Sequence, residues 1–66
     1  MTGIVKFFND EKGYGFIISD STKEEYFVHY SQILMDGHKT LKNGQAVEFD
    51  PIRDANTNRL KAINVK

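Results

Sequence analysis

Every apolar run in this chain is short, rich in Val, Ile, Phe and Tyr, and closed off by a cluster of Gly, Asn, Asp, Ser or Lys. That pattern constrains the fold more than any other feature. β-Branched and aromatic residues suit a pleated strand, and the intervening clusters suit turns. It predicts five strands, over residues 2–9, 14–19, 25–30, 45–52 and 59–65. Asn43-Gly44 tolerates the positive φ of a tight turn. Pro51 cannot donate to a ladder, so the fourth strand is expected to end there or to lie at an edge. No segment sustains helical periodicity; a single helical turn over Ser31 to Met35, with Ser31 as its N-cap, is the most expected. Short strands in so small a chain favour an all-β barrel, closed or nearly closed, because closure removes vulnerable edges.

A chain of 66 residues has room for one core, so residues 1–66 are read as a single domain of modest stability. There is no cysteine and hence no disulfide or thiolate zinc site, and the two histidines, His29 and His38, do not make a structural metal site. No metal and no cofactor are expected. No apolar stretch approaches the roughly 20 residues of a membrane span. The N-terminus lacks a charged segment followed by an apolar run, so a soluble, cytoplasmic protein without a membrane partner is expected. Nine basic residues balance nine acidic ones, which leaves little bulk attraction for phosphate. A nucleic-acid ligand would have to be held largely by something other than charge.

The aromatic residues supply that alternative. Of three tyrosines and five phenylalanines, all but Phe49 lie between positions 7 and 30. Side chains alternate faces along a strand, so Tyr14 and Phe16 share one face while Ile17 points to the other. Phe27 and His29 pair off in the same way against Tyr26, Val28 and Tyr30. The aliphatic side, Ile17 and Val28, continues into Val5, Val47, Ile63 and Val65 as a packed core. Tyr14, Phe16, Phe27 and His29 are then left pointing outward together, and an exposed aromatic cluster usually marks an interaction surface. Gly13 and Gly15 flank Tyr14 and are expected to leave backbone clear for a flat ligand.

Lys12-Gly13-Tyr14-Gly15-Phe16-Ile17 and Tyr26-Phe27-Val28-His29-Tyr30-Ser31 resemble the two ribonucleoprotein-type motifs of bacterial cold-shock proteins. Gly3 to Asn9 is similar to that family's first strand, Leu41, Gly44 to Val47 and Phe49 to its fourth, and Ala62, Asn64 and Val65 to its last. The resemblance implies a five-stranded antiparallel oligonucleotide-binding (OB-fold) barrel. It implies a monomer whose partner is single-stranded RNA or DNA, pyrimidine-rich, and an RNA-chaperone role in the cold-shock response or in regulating transcription and translation. Carried over by motif, the ligand-facing residues are Lys6, Phe7, Lys12, Tyr14, Phe16, Phe27, His29 and Tyr30, with His38 in the following loop. Lys39 and Arg59 are candidate backbone contacts. The chain departs from the family pattern at four places. Phe7 stands where tryptophan is usual, and Tyr26 where an aliphatic is usual. Ser21 to Glu24 lacks a glycine, and His38 replaces a common phenylalanine.

Other readings fit less well. The RNA-recognition motif shares the glycine–aromatic motif but needs two helices. Gly13 and Gly15 begin a G-x-G that Ile18 interrupts, so the dinucleotide fingerprint fails. Ser31, His29 and nearby acids offer no evident catalytic cleft, and no enzyme is expected. The alternative that survives is a protein-interaction module, or a homodimer, using the same aromatic face.

Overall fold

The computed structural model describes residues 1–34 and 40–66, so His38 and Lys39 lie outside the described residues. Strand β1 (Thr2–Asn9) and strand β2 (Tyr14–Ser19) form an antiparallel hairpin. Asn9 shapes the turn between them: its side-chain oxygen accepts from the Lys12 N–H at 3.0 Å and its carbonyl from the Gly13 N–H at 2.7 Å. Strand β3 (Glu25–His29) pairs antiparallel with β2. Strand β4 (Ala46–Glu48) returns to pair with β1, and β5 (Asp50–Arg53) pairs with β6 (Leu60–Ile63). The sheet order is β4-β1-β2-β3-β6-β5.

The two end strands of that order, β4 and β5, are consecutive in the chain and separated only by Phe49. The sheet is thereby curled into a half-barrel. Phe49 is buried at the bend. Its N–H donates to the Met1 carbonyl at 2.8 Å, and its own carbonyl accepts from the Met1 amino group at 3.1 Å. The single strand expected over 45–52 is therefore two strands, because a straight strand could not serve both β1 and β6. Pro51 sits within β5, opposite Ala62, on an end strand where its missing N–H leaves no ladder bond broken.

Two further expectations are corrected. The sheet is not wholly antiparallel, since β3 and β6 run parallel and meet at Phe27 and Lys61. The helical turn is a 3-10 turn at Tyr30–Gln32, and its N-cap is His29 rather than Ser31: the Ser31 N–H donates to His29 Nδ1 at 3.3 Å. The turn ends after three residues, as 3-10 turns commonly do, where Ile33 returns to extended backbone.

The concave face of the sheet carries the core. Val5, Ile17, Val28, Val47 and Val65 are buried there as expected, together with Tyr26, Ile33, Leu41, Phe49 and Ala62. Tyr26 packs its ring against Phe49 at 5.1 Å between centroids. Among the described residues no buried side-chain oxygen or nitrogen lacks a hydrogen-bond partner, so the Tyr26 hydroxyl is not trapped. Ile63 departs from expectation. It is half-buried and faces outward, while Ala62 takes the interior position. The cause is Asn64, whose φ of 51° breaks the strand's alternation and turns Val65 back inside.

Candidate functional site

Strict alternation from the buried Val5 would send Phe7 into the core and Lys6 and Phe8 to solvent. The structure does otherwise. Val5 pairs with Ile17 but Phe7 pairs with Phe16, so Lys6 is the extra residue of a β-bulge. Past the bulge the faces are exchanged: Phe7 is 37% exposed and Phe8 packs against the core. This one irregularity brings Phe7 to the convex face.

Pairing then lines up the rings in two rows. Phe7, Phe16 and Phe27 are cross-strand partners on β1, β2 and β3, and the next row holds Asn9, Tyr14 and His29. Phe7 and Phe16 lie 5.4 Å apart, Phe16 and Phe27 5.8 Å in an edge-to-face arrangement. Tyr14 and Phe27 are stacked at 5.8 Å. Such contacts fix ring positions and leave part of each face open to a ligand. Tyr30, 48% exposed, adjoins the platform through His29, whose ring centroid lies 4.5 Å away.

The two glycines beside Tyr14 serve packing rather than ligand approach. Gly15 is buried; a Cβ there would lie 2.2 Å from the Phe7 carbonyl oxygen and 2.8 Å from the Phe8 Cα. Gly15 therefore lets β2 press against the bulge that turns Phe7 outward. Gly13, at φ +74°, leaves room for the Tyr30 ring, whose Cδ1 would be 2.6 Å from a Cβ. Each glycine thus positions a ring.

Charge around the platform is nearly balanced. Lys6 pairs with Glu25 at 3.0 Å and Lys61 with Asp54 at 2.9 Å. Lys12 and Arg59 are exposed at opposite margins, Lys12 in the β1–β2 turn and Arg59 just before β6. Asp54 is held below the ordinary aspartate value of 3.8, first by the hydrogen bond from Lys61 and then by the Asn56 and Thr57 amides. At the other margin Thr40 donates to the Asp10 carboxylate, tying the later part of the β3–β4 connection to the β1–β2 turn.

His29 has one side committed. Its Nδ1 lies 2.9 Å from Ser31 Oγ and accepts from the Ser31 N–H. An acceptor at Nδ1 places the proton of the neutral ring on Nε2. The Ser31–His29 contact is thus a turn cap, and it leaves the ring with an N–H donor.

Of the residues predicted for the site, Phe7, Tyr14, Phe16, Phe27, His29 and Tyr30 form one surface, with Lys6 and Lys12 beside it. Three members of that surface were not anticipated. Lys61 pairs with Phe27 and Ile52 pairs with Lys61, so the ring row continues across β6 and β5; Ile63 lies two residues along β6 on the same face. The Phe27–Lys61 pairing is parallel and long-range, and only Asn64, a residue that tolerates left-handed backbone, hinted that alternation fails near Ile63.

The whole chain, residues 1–66, matches the model of the 'Cold-shock' DNA-binding domain. It is 48% identical over 63 residues to a cold shock-like protein of Aquifex aeolicus, covering 96% of this chain and 90% of that one. It is 51% identical over 65 residues to the cold shock-like protein CspA of Stigmatella aurantiaca, covering 98% and 93%. Over 48 residues it is 56% identical to the cold shock-like protein CspD of Escherichia coli, 73% of this chain and 65% of that one.

Proposed function

The chain belongs to the cold-shock domain family, a family of nucleic-acid-binding domains, and from that premise we propose that it binds single-stranded RNA or DNA by stacking bases on its convex aromatic face. The observation that carries this reading is the row Phe7, Phe16 and Phe27, partly exposed across three strands with Tyr14 and His29 beside it. Each base stacked on a ring contributes roughly 1–3 kcal/mol. Several rings therefore give useful affinity after the cost of ordering a flexible strand. Every base has a π-face, so the surface tolerates many sequences, with short pyrimidine strands as the preferred partner.

A duplex keeps its bases paired and stacked on one another, so it offers the platform nothing. Binding the open strand draws a hairpin toward melting by mass action, without ATP. This is RNA-chaperone activity. The neutral charge balance makes binding reversible, since each paired lysine must leave Glu25 or Asp54 before it meets a phosphate. Lys12 and Arg59 are the cations proposed to steer the backbone.

An NMR titration with a short pyrimidine oligomer, run beside sedimentation of the free protein, tests the reading. Shifts at Phe7, Tyr14, Phe16, Phe27, His29 and Tyr30, on a monomer, are the expected result. A dimer that buries these rings without nucleic acid would replace it with a protein-interaction surface.

A further inference from the structure

A groove of about 380 Å³ opens beside the platform, between β3 on one side and β5 and β6 on the other. Its origin is a mismatch in chain length. Strands β3 and β6 pair at Phe27 and Lys61, and the chains meet again at the Ile33–Val65 bridge. Between these points residues 28–32 run on one side and only residues 62–64 on the other. The longer side is taken up by the 3-10 turn capped by His29, and the two chains part around the gap.

The walls of this groove combine two kinds of surface. Ile52, Ile63 and the edge of Phe27 are apolar; His29, Gln32 and Lys61 are polar. Its volume falls in the roughly 300–1,000 Å³ range of pockets that hold small ligands, and an apolar lining with a few polar groups is their usual character. Phe27 and His29 belong at once to the platform and to the groove, so the two surfaces are continuous. Ile52 stands 41% exposed at the far rim.

We infer that this groove receives one base of the same single strand, turned off the platform beside Phe27 and His29. The inference rests on the platform reading above and extends it. The base lies between Ile52 and Ile63, with its polar edge toward Gln32. The phosphate that follows it draws Lys61 away from Asp54, which keeps its remaining bonds to the Asn56 and Thr57 amides. A purely flat surface would leave that base in water.

Heptathymidine titrated into the 66-residue chain, observed through isoleucine methyl and glutamine side-chain amide resonances, tests the inference. Ile52, Ile63 and Gln32 should shift in step with the platform rings. Ile52→Asp should weaken binding about fivefold to tenfold, and Gln32→Ala about twofold to threefold, both with melting curves close to the parent. Should Ile52→Asp fold poorly, Gln32→Ala and the parent's resonances decide the matter. Platform shifts without movement at Ile52 and Ile63 overturn the groove while leaving the platform standing. Silence at both surfaces overturns both. Groove shifts that depend on protein concentration alone would assign it to a second copy of the chain and overturn the inference.

Discussion

The two faces of the β2–β3 hairpin are built from alternate residues of the same strands, yet they carry opposite duties. Inward, Ile17 and Val28 are 0% exposed. Outward, Tyr14, Phe16, Phe27 and His29 keep part of their surface in solvent although the rings are larger. Burial preference ranks Tyr and His below Ile and Val but leaves Phe close to them, so it does not alone set Phe16 and Phe27 outside. The curl of the sheet decides it, because a concave face closed by Phe49 suits compact branched side chains, whereas a convex face spreads rings apart. Stability and binding are thereby assigned to different sides of one sheet.

Truncating one residue on each side should separate the two duties. Ile17→Ala should cost about 2–5 kcal/mol of stability, the usual range for a buried isoleucine, as read by urea melts. For so small a domain that is a large share of the total. Phe16→Ala and Phe27→Ala should each weaken oligomer binding by about 1–3 kcal/mol. Their cost in stability should stay below the roughly 3–5 kcal/mol of a fully buried phenylalanine. A melt that collapses for either would place that ring in the core and undo the division of faces.

Salt probes the same division of duties from the side of the ligand. Release of counterions from roughly two to four phosphates, each lowering the log–log slope by about 0.7, should give a shallow dependence of affinity on salt. A steep slope would show that charge outweighs stacking.

A site remote from both faces provides the control. Lys23 holds a left-handed backbone with φ 61°, in the β2–β3 turn where its N–H donates to the Ser19 carbonyl at 2.9 Å. Lys23→Gly should relieve that conformation and stabilise the fold by up to about 1 kcal/mol, partly offset by the freer unfolded chain. Oligomer affinity should not change.

The smallest effect concerns Asp54. Its carboxyl is held below 3.8 in the folded chain, so the stabilisation it gives is present above that value. It fades as pH falls through the lower folded value. The Asn56 and Thr57 amide resonances should therefore move on acidification below about 3.8, ahead of global unfolding. Amides that stay fixed until the whole protein unfolds would show that this turn does not depend on the carboxylate.

Much of this was legible in the sequence. The ranges of β1 and β2 agree with residues 2–9 and 14–19 because glycine, asparagine and aspartate punctuate them sharply. Period-two alternation separated Ile17 and Val28 on one face from Phe16 and Phe27 on the other, since both strands run without a break. It failed where the backbone departs from a regular strand: at Lys6, at Phe49 and at Asn64. The bulge at Lys6 depends on the close approach of Gly15, and the bend at Phe49 on having to serve two partner strands. The turn at Asn64 depends on the interior place that Val65 fills.

By itself, then, the sequence determined that the chain is all-β, that its aromatic residues gather on the first three strands, and that two residue sets compete for one interior. Local propensity and alternation suffice for that, because they act between near neighbours. Which set wins, how Phe7 reaches the convex face, and how Lys61, Ile52 and Ile63 come to extend it were decided only in the tertiary structure. Those outcomes depend on the Phe27–Lys61 and Phe7–Phe16 registers and on the curl around Phe49. Contacts between residues far apart in the chain are fixed by the packing of the whole, which no local pattern specifies.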